Sequence, residues 1–299
     1  MFKIIHKSKY FAAFSIVLFI LSVTAYGIWG LRLGIDFTGG ASLDLSFSNR
    51  PTTEQLATDL STLGFEASSI VTGGDTEMLI KFQELDNAQK DAIVSGLSHY
   101  GATEVSFVTI GPSIGEELKQ KSILAIGLVL AAIIVYISYA FRRVSKGPVP
   151  SWVYGIAAIV ALAHDIFIPI GVFALLGHFA GVQIDALFVT ALLTILGFSV
   201  HDTIVVFDRI REGLKDRAHK TFAEIVNISI NTTLARSINT SVTTLIVLTA
   251  LYVFGGTAIH WFVFTLILGI ICGTYSSIFI ASPVLLLGEW FLNRKRKIA

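Results

Sequence analysis

The segment LGFSVHDTIVVFDRIRE, residues 196–212, begins as an apolar run and then sets His201, Asp202, Asp208 and Arg209 in close succession. A carboxyl group in apolar surroundings has the chemistry of proton loading. Away from water a neutral acid is favoured over its anion, and a guanidinium brought close reverses that preference. Arg236 is the one Lys or Arg inside an apolar run of the later segments. With Asn239, Thr240 and Thr243 it repeats at i, i+3, i+4 and i+7, the spacing of a single helix face. Thr190, Thr194, Gly197, His201 and Asp208 form a second stripe of this kind, and His164-Asp165 a separate pair followed by Pro169, a residue able to kink a helix.

These groups matter only if their helices lie in a membrane, and the composition says that they do. The 299 residues are 54% hydrophobic and 14% charged, with a mean hydropathy of +0.73. Six apolar segments run from Tyr10 to Gly30, Ile123 to Phe141, Trp152 to Leu176, Ile184 to Phe207, Leu234 to Phe254 and Trp261 to Leu287. Each suits a membrane span, which takes about 20 apolar residues. The first imitates a signal peptide, with Lys3, Lys7 and Lys9 ahead of it and Ala25 and Gly27 near its end; its length favours an uncleaved anchor. If the spans alternate, 15 of the 22 Lys and Arg fall on one side, which the positive-inside rule makes cytoplasmic, both termini included. The net charge of +1 predicts no nucleic-acid partner, and the single cysteine, Cys272, leaves no disulfide framework.

Asp202 then lies seven residues before Arg209, about 10 Å inside the cytoplasmic boundary at 1.5 Å per residue. An ionised Asp near a span centre costs about 2.5–3.5 kcal/mol on insertion scales. Spans four and five are antiparallel neighbours, so Arg236 can offset that cost at similar depth. His201 is expected to hydrogen-bond beside Asp202, and Asp185 to sit at the opposite interface. Two readings stand. Interhelical hydrogen bonds and a buried ion pair would hold the bundle together, or Asp202 and Arg236 on moving helices would load and release a proton. For His164 and Asp165 both remain open.

Residues 31–121 hold 13 of the 21 acidic residues and form the one segment able to fold outside the membrane. Leu43, Leu45 and Phe47 alternate with polar residues as in a half-buried strand, and Met78, Ile80 and Phe82 do so again. Thr52 with Gln55 reads as a capping box before a helix carrying Leu56, Leu60 and Leu63, and Asp86 can cap a second one with Ile93 and Leu97. Short strands near 68–71 and around Val105 and Phe107 complete the order βαββαβ, the ferredoxin-like arrangement. His99 suits a surface or helix-end residue, and a binding or levering role suits the domain. The expected architecture is a polytopic α-helical membrane protein: residues 1–30 a cytoplasmic segment and helix one, 31–121 an external ferredoxin-like domain, 122–299 helices two to six.

An enzyme is not expected. Neither Gly-x-Ser-x-Gly nor His-Glu-x-x-His occurs. Ser199 and His201, two residues apart, point to different sides of a helix.

Two stretches resemble the signatures of the SecF family of bacterial protein-export membrane subunits. One is GIDFTGG, comprising Gly34, Ile35, Asp36, Phe37, Thr38, Gly39 and Gly40; the other is VHDTIVVFDRIRE, residues 200–212. Ala163-His164-Asp165, the stretch LARSINTS at 234–241 and Phe254-Gly255-Gly256 add to the likeness, which covers the whole chain. GIDFTGG alone would also suit the sister family SecD; the single small domain and the length favour SecF. The resemblance implies a subunit in the bacterial cytoplasmic membrane, related in architecture to the resistance-nodulation-division exporters. With SecD it would use the proton motive force to draw unfolded preproteins outward through the SecYEG channel, with YajC as a further partner and protons, rather than a cofactor, as the coupling species. It makes Asp202 the proton-carrying carboxylate and Arg236 its cationic partner, with Asp165, His164, His201 and Asp208 as further members. A small-molecule exporter or a passive scaffold of the translocon would fit the same membrane pattern.

Overall fold

The structure, a computed structural model, describes residues 2–141, 148–216 and 220–298. Arg142, Arg143, Lys146 and Arg217, which enter the charge pattern, lie outside the described residues, as do the side chains of Lys295, Arg296 and Lys297.

Six helices are long and apolar enough to cross a membrane. They are built from α1 (Ser8–Trp29), α5 (Pro112–Ala140), α6 (Ser151–Ala180), α7 (Ala186–Asp216), α8 (Phe222–Phe254) and the compound last span. That span comprises α9 (Thr257–Ser276), a π turn (Ser277–Ala281) and α10 (Ser282–Ile298). Pro283 has no N–H to give the carbonyl four residues back, and the helix widens into the π turn just ahead of it. α6 and the last span are the most enclosed, whereas α1, α5 and α8 lie at the periphery. Small residues permit the close contacts: a Cβ on Gly273 of α9 would come within 2.9 Å of the Ser199 side chain on α7.

Between α1 and α5 come α2 (Ile35–Thr38), β1 (Gly40–Phe47), α3 (Thr53–Thr62), β2 (Ser69–Gly73), β3 (Glu77–Phe82), α4 (Asn87–Gly96) and β4 (Ala102–Ile110). The strands form one antiparallel sheet in the order β2-β3-β1-β4. Leu43, Leu45, Met78 and Ile80 point to one face and pack against Leu56 and Leu60 of α3 and Ile93 of α4. The capping box expected at Thr52 and the cap expected at Asp86 are both made, the second also as a capping box, with Gln89. Thr52 Oγ1 accepts from Gln55 N at 3.2 Å, and Asp86 Oδ1 accepts from Gln89 N at 2.8 Å. His99 is exposed beyond the end of α4, its ring Nδ1 3.1 Å from the Gly96 carbonyl.

The main differences from the sequence reading are at boundaries. The α/β domain ends with β4 at Ile110, and residues 112–121 already belong to α5. Those turns are polar, so hydropathy misses them. Pro112 starts the helix, and Glu116–Lys119 and Glu117–Lys121 ion pairs run along its side. The four residues of α2 are too few to show a period.

Candidate functional site

Asp202 lies on α7, half-buried and turned toward α8. Its Oδ1 accepts a hydrogen bond from Ser237 Oγ of α8 at 2.5 Å; its Oδ2 is buried and has no hydrogen-bond partner among the described residues. The expected partner, Arg236, is the residue before Ser237 and therefore points elsewhere. It is exposed, and lines an open pocket of about 420 Å³ together with Asp208, Arg209 and Glu212. The Asp202–Arg236 pairing expected from the sequence is thus not made in this conformation. Matching depth brings the two onto neighbouring turns, but helix rotation decides which side chain of α8 meets the carboxylate.

His201 also departs from expectation. It is exposed and makes no hydrogen bond to Asp202 among the described residues. Asp208 pairs with Arg211 at 2.5 Å and Arg209 with Glu212 at 2.8 Å, both within one turn of α7. These are partly exposed pairs at the end of the span, away from Asp202.

The polar stripes do come together. Thr190, Thr194, Gly197 and His201 on α7, and Arg236, Asn239, Thr240 and Thr243 on α8, are all exposed in the single chain. The two helices pack side by side. The bundle therefore exposes polar residues along candidate spans, where a cation and an amide need protein or water rather than lipid.

His164 and Asp165 form a second centre, deeper and closed. Asp165 has no solvent exposure. Its Oδ2 accepts from Ser199 Oγ of α7 and Ser276 Oγ of α9, each at 2.6 Å, and its Oδ1 lies 3.0 Å from His164 Nδ1. A string of hydroxyls continues from there: Ser277 Oγ, at the start of the π turn, lies 2.9 Å from Thr203 Oγ1, next in sequence to Asp202. Nothing in the local pattern singles out Ser276 or Ser277, and Ser199 stands out there only as a nucleophile candidate. The available signal was a set of serines, in SVHD and TYSSIFIAS, inside otherwise apolar runs.

GIDFTGG carries no such chemistry; it joins domain to bundle. Gly34 N donates to Ile184 O at 2.7 Å, and Ile184 N donates to Arg32 O at 2.8 Å. Asp36 Oδ2 accepts from Ala186 N at 2.8 Å, so this carboxylate caps α7 from another segment, while Asp185 caps the same helix through Phe188 N at 2.9 Å. Burial pushes the Asp185 carboxyl up, opposed by the Phe188 N–H and by Lys81. Burial lowers the Lys81 ammonium, with Asp185 and Asp36 pulling the other way. The glycine pair is steric: Gly39 and Gly40 have φ of +78° and +139°, and side chains there would strike Pro112 and the Phe82 carbonyl.

With this geometry in view, the comparisons with known proteins are direct. The family described as "Protein export membrane protein SecD/SecF, C-terminal" matches residues 90–289, and the "SecD/SecF GG Motif" matches residues 30–49. The chain belongs to the SecD/SecF family of membrane proteins of protein export. Within it the likeness is to SecF. The chain is 46% identical to the protein translocase subunit SecF of Thermobaculum terrenum, over 88% of this chain and 86% of that one. It is 33% identical to the protein translocase subunit SecDF of Bacillus subtilis, over 93% of this chain and 37% of the longer one. A crystal structure of a Thermus SecDF, described as a translocon-associated membrane protein, superposes with a TM-score of 0.83 at 35% identity, covering 96% of this chain and 38% of that. These relatives place the chain in protein translocation.

Proposed function

We propose that this chain is the SecF half of a proton-driven complex that draws preproteins across the bacterial cytoplasmic membrane. The observation that carries the reading is Asp202: a carboxylate within a membrane span, held by a single hydroxyl, with its second oxygen buried and unpartnered. Arg236 immediately precedes Ser237 on α8, about 100° round the helix, so a rotation of α8 in that sense, with the reach of the long arginine side chain, would exchange hydroxyl for guanidinium at the carboxylate. Proton gain favours the hydroxyl-bonded state, and proton loss favours the arginine-bonded one. One charge moving through 100 mV supplies about 2.3 kcal/mol, enough to bias such an equilibrium tens-fold. No bond to the cargo is made or broken, so the activity is transport rather than catalysis, with H⁺ as the coupling ion.

The partner on the polar flank of α7 and α8 is a SecD-like chain, a reading supported by relatives in which both halves form one polypeptide. The SecYEG channel, YajC and an emerging unfolded preprotein would complete the assembly. The basic residues at the bundle end that carries both chain ends support a cytoplasmic position for that end. The α/β domain then stands outside. Its βαββαβ succession and sheet order support a ferredoxin-like domain, and GIDFTGG supplies its rigid footing on α7.

The test is Asp202→Asn, nearly isosteric and unable to titrate, in the complex with its SecD-like partner. The expected result is intact assembly with the gradient-dependent part of preprotein export reduced more than tenfold. Export that still responds fully to the gradient would refute the proposal.

A further inference from the structure

The last described residues at the N-terminus do not hang free. Phe2 to Lys7 lie as a strap across α8, clamped by two asparagines one helical turn apart. Phe2 N donates to Asn231 Oδ1 at 2.8 Å, Asn231 Nδ2 donates to Phe2 O at 2.9 Å, and Ile5 N donates to Asn227 Oδ1 at 3.2 Å. Beyond the strap, α1, α8 and the π-containing last span diverge and leave a groove of about 610 Å³. Its walls are almost wholly apolar, with Phe11, Ile238, Val242, Ile271 and Phe279 among them, and Lys3 and Lys7 stand on its rim. Both lysines are exposed and form no ion pair among the described residues.

Length and charge point to the occupant. Along α8 the groove runs from Leu234 to Leu245, about 16 Å at 1.5 Å per residue, which matches half of a hydrocarbon core about 30 Å thick. It starts at the strap, beside the polar first turns of α8, and runs into the apolar part of that helix. A single extended acyl chain suits a narrow apolar slot of this length. The charge at the rim calls for an anion, because two unpaired ammonium groups beside an apolar slot complement a phosphate diester with no balancing cation. The groove is also separate from the face expected to meet a partner subunit. At 3.6 residues per turn, Leu234, Ile238 and Leu245 lie about half a turn away from Arg236, Asn239 and Thr243.

We propose that this groove is a binding site for one anionic phospholipid of the leaflet at the end of the bundle that carries the strap. One acyl chain lies between α1, α8 and the π turn, and the phosphate is held by Lys3 and Lys7. Tyr275, which donates to the Phe11 carbonyl at 2.9 Å, lies in the groove wall two residues before the π turn, so the bound chain would brace the segment that leads to Ser276 and Ser277.

The experiment is native mass spectrometry of the full chain from detergent micelles containing equal amounts of phosphatidylglycerol and phosphatidylcholine. One phosphatidylglycerol is expected to be retained in preference. Lys3→Gln with Lys7→Gln should lower that preference about thirtyfold, the effect of two basic residues at an anionic surface. Ile238→Trp should remove retention by filling the slot. A photo-activatable residue replacing Val242 in the otherwise native chain should cross-link a lipid acyl chain, a readout independent of how the other variants fold. Equal retention of the two lipids, retention unaffected by both sets of substitutions, or capture of a protein helix at position 242 would overturn the site.

Discussion

Two aspartates on adjacent helices, both within the membrane-spanning bundle, differ in what surrounds them. Asp165 is closed off from solvent and receives two serine hydroxyls and an imidazole nitrogen from three helices. Asp202 is half-buried, receives one hydroxyl, and keeps an unpartnered oxygen beside a flank that carries Arg236. Residue type and apolar setting are the same; the number of donors is not. A saturated carboxylate ties helices together, whereas an under-satisfied one can change partner at small cost. Asp165 therefore reads as a fastening of α6 to α7 and α9, and Asp202 as the group able to switch.

The sharpest way to break that contrast is to neutralise each in turn. Asp202→Asn should remove gradient-dependent export by more than tenfold while leaving the unfolding midpoint of the purified chain unchanged. Asp165→Ala should do the reverse in kind. It strands the Ser199 hydroxyl and the His164 ring nitrogen and leaves Ser276 only its bond to the Gly273 carbonyl, and should lower bundle stability by about 2–3 kcal/mol, read by denaturant unfolding in detergent. If Asp165→Ala left stability intact and abolished only the gradient response, the roles assigned to the two groups would be exchanged.

A third buried carboxylate, in the α/β domain, extends the comparison to a group that pH can address. Asp44 is 8% exposed, its Oδ1 has no partner among the described residues, and burial, with Glu77 nearby, pushes its pKa from 3.8 up to about 6. The folded domain thus binds this proton more tightly than the unfolded one. The contribution of Asp44 to stability is therefore most favourable below pH 4, falls as the pH rises toward about 6, and is level above. Asp44→Asn should remove that fall, giving of order 1–2 kcal/mol at pH 8 and nothing at pH 4, measured as slower hydrogen exchange of β1 amides. The smallest effect belongs to the cap. Asp36→Ala should cost about 1 kcal/mol and loosen the joint between domain and bundle, read as faster exchange at Ala186 with the sheet unaffected.

Much of this was legible in order along the chain. Six apolar runs announce six candidate spans, and Thr52 with Gln55, and Asp86, announce helix starts, because capping and hydropathy are local. The site was legible as a set of residues but not as a set of bonds. Asp202, Arg236, His164 and Asp165 are conspicuous because charge in an apolar run is rare. Whether Asp202 meets Arg236 or Ser237 depends on the rotation of one helix against another, which one residue of offset reverses. Ser276 and Ser277 were invisible for the opposite reason: a serine in a span is ordinary until a carboxylate from another helix faces it.

Hydropathy and local pattern in the chain announce six candidate spans, the place where the α/β domain is inserted and the ionisable groups set in apolar runs. Each of those follows from the free energy of moving one segment out of water. It took the packed fold to show which carboxylate is saturated and which is left wanting, that GIDFTGG works as a helix cap and joint, and that α8 exposes polar residues and an apolar groove on opposite sides. Those properties come from pairs of residues far apart in the chain, and packing alone sets their distances.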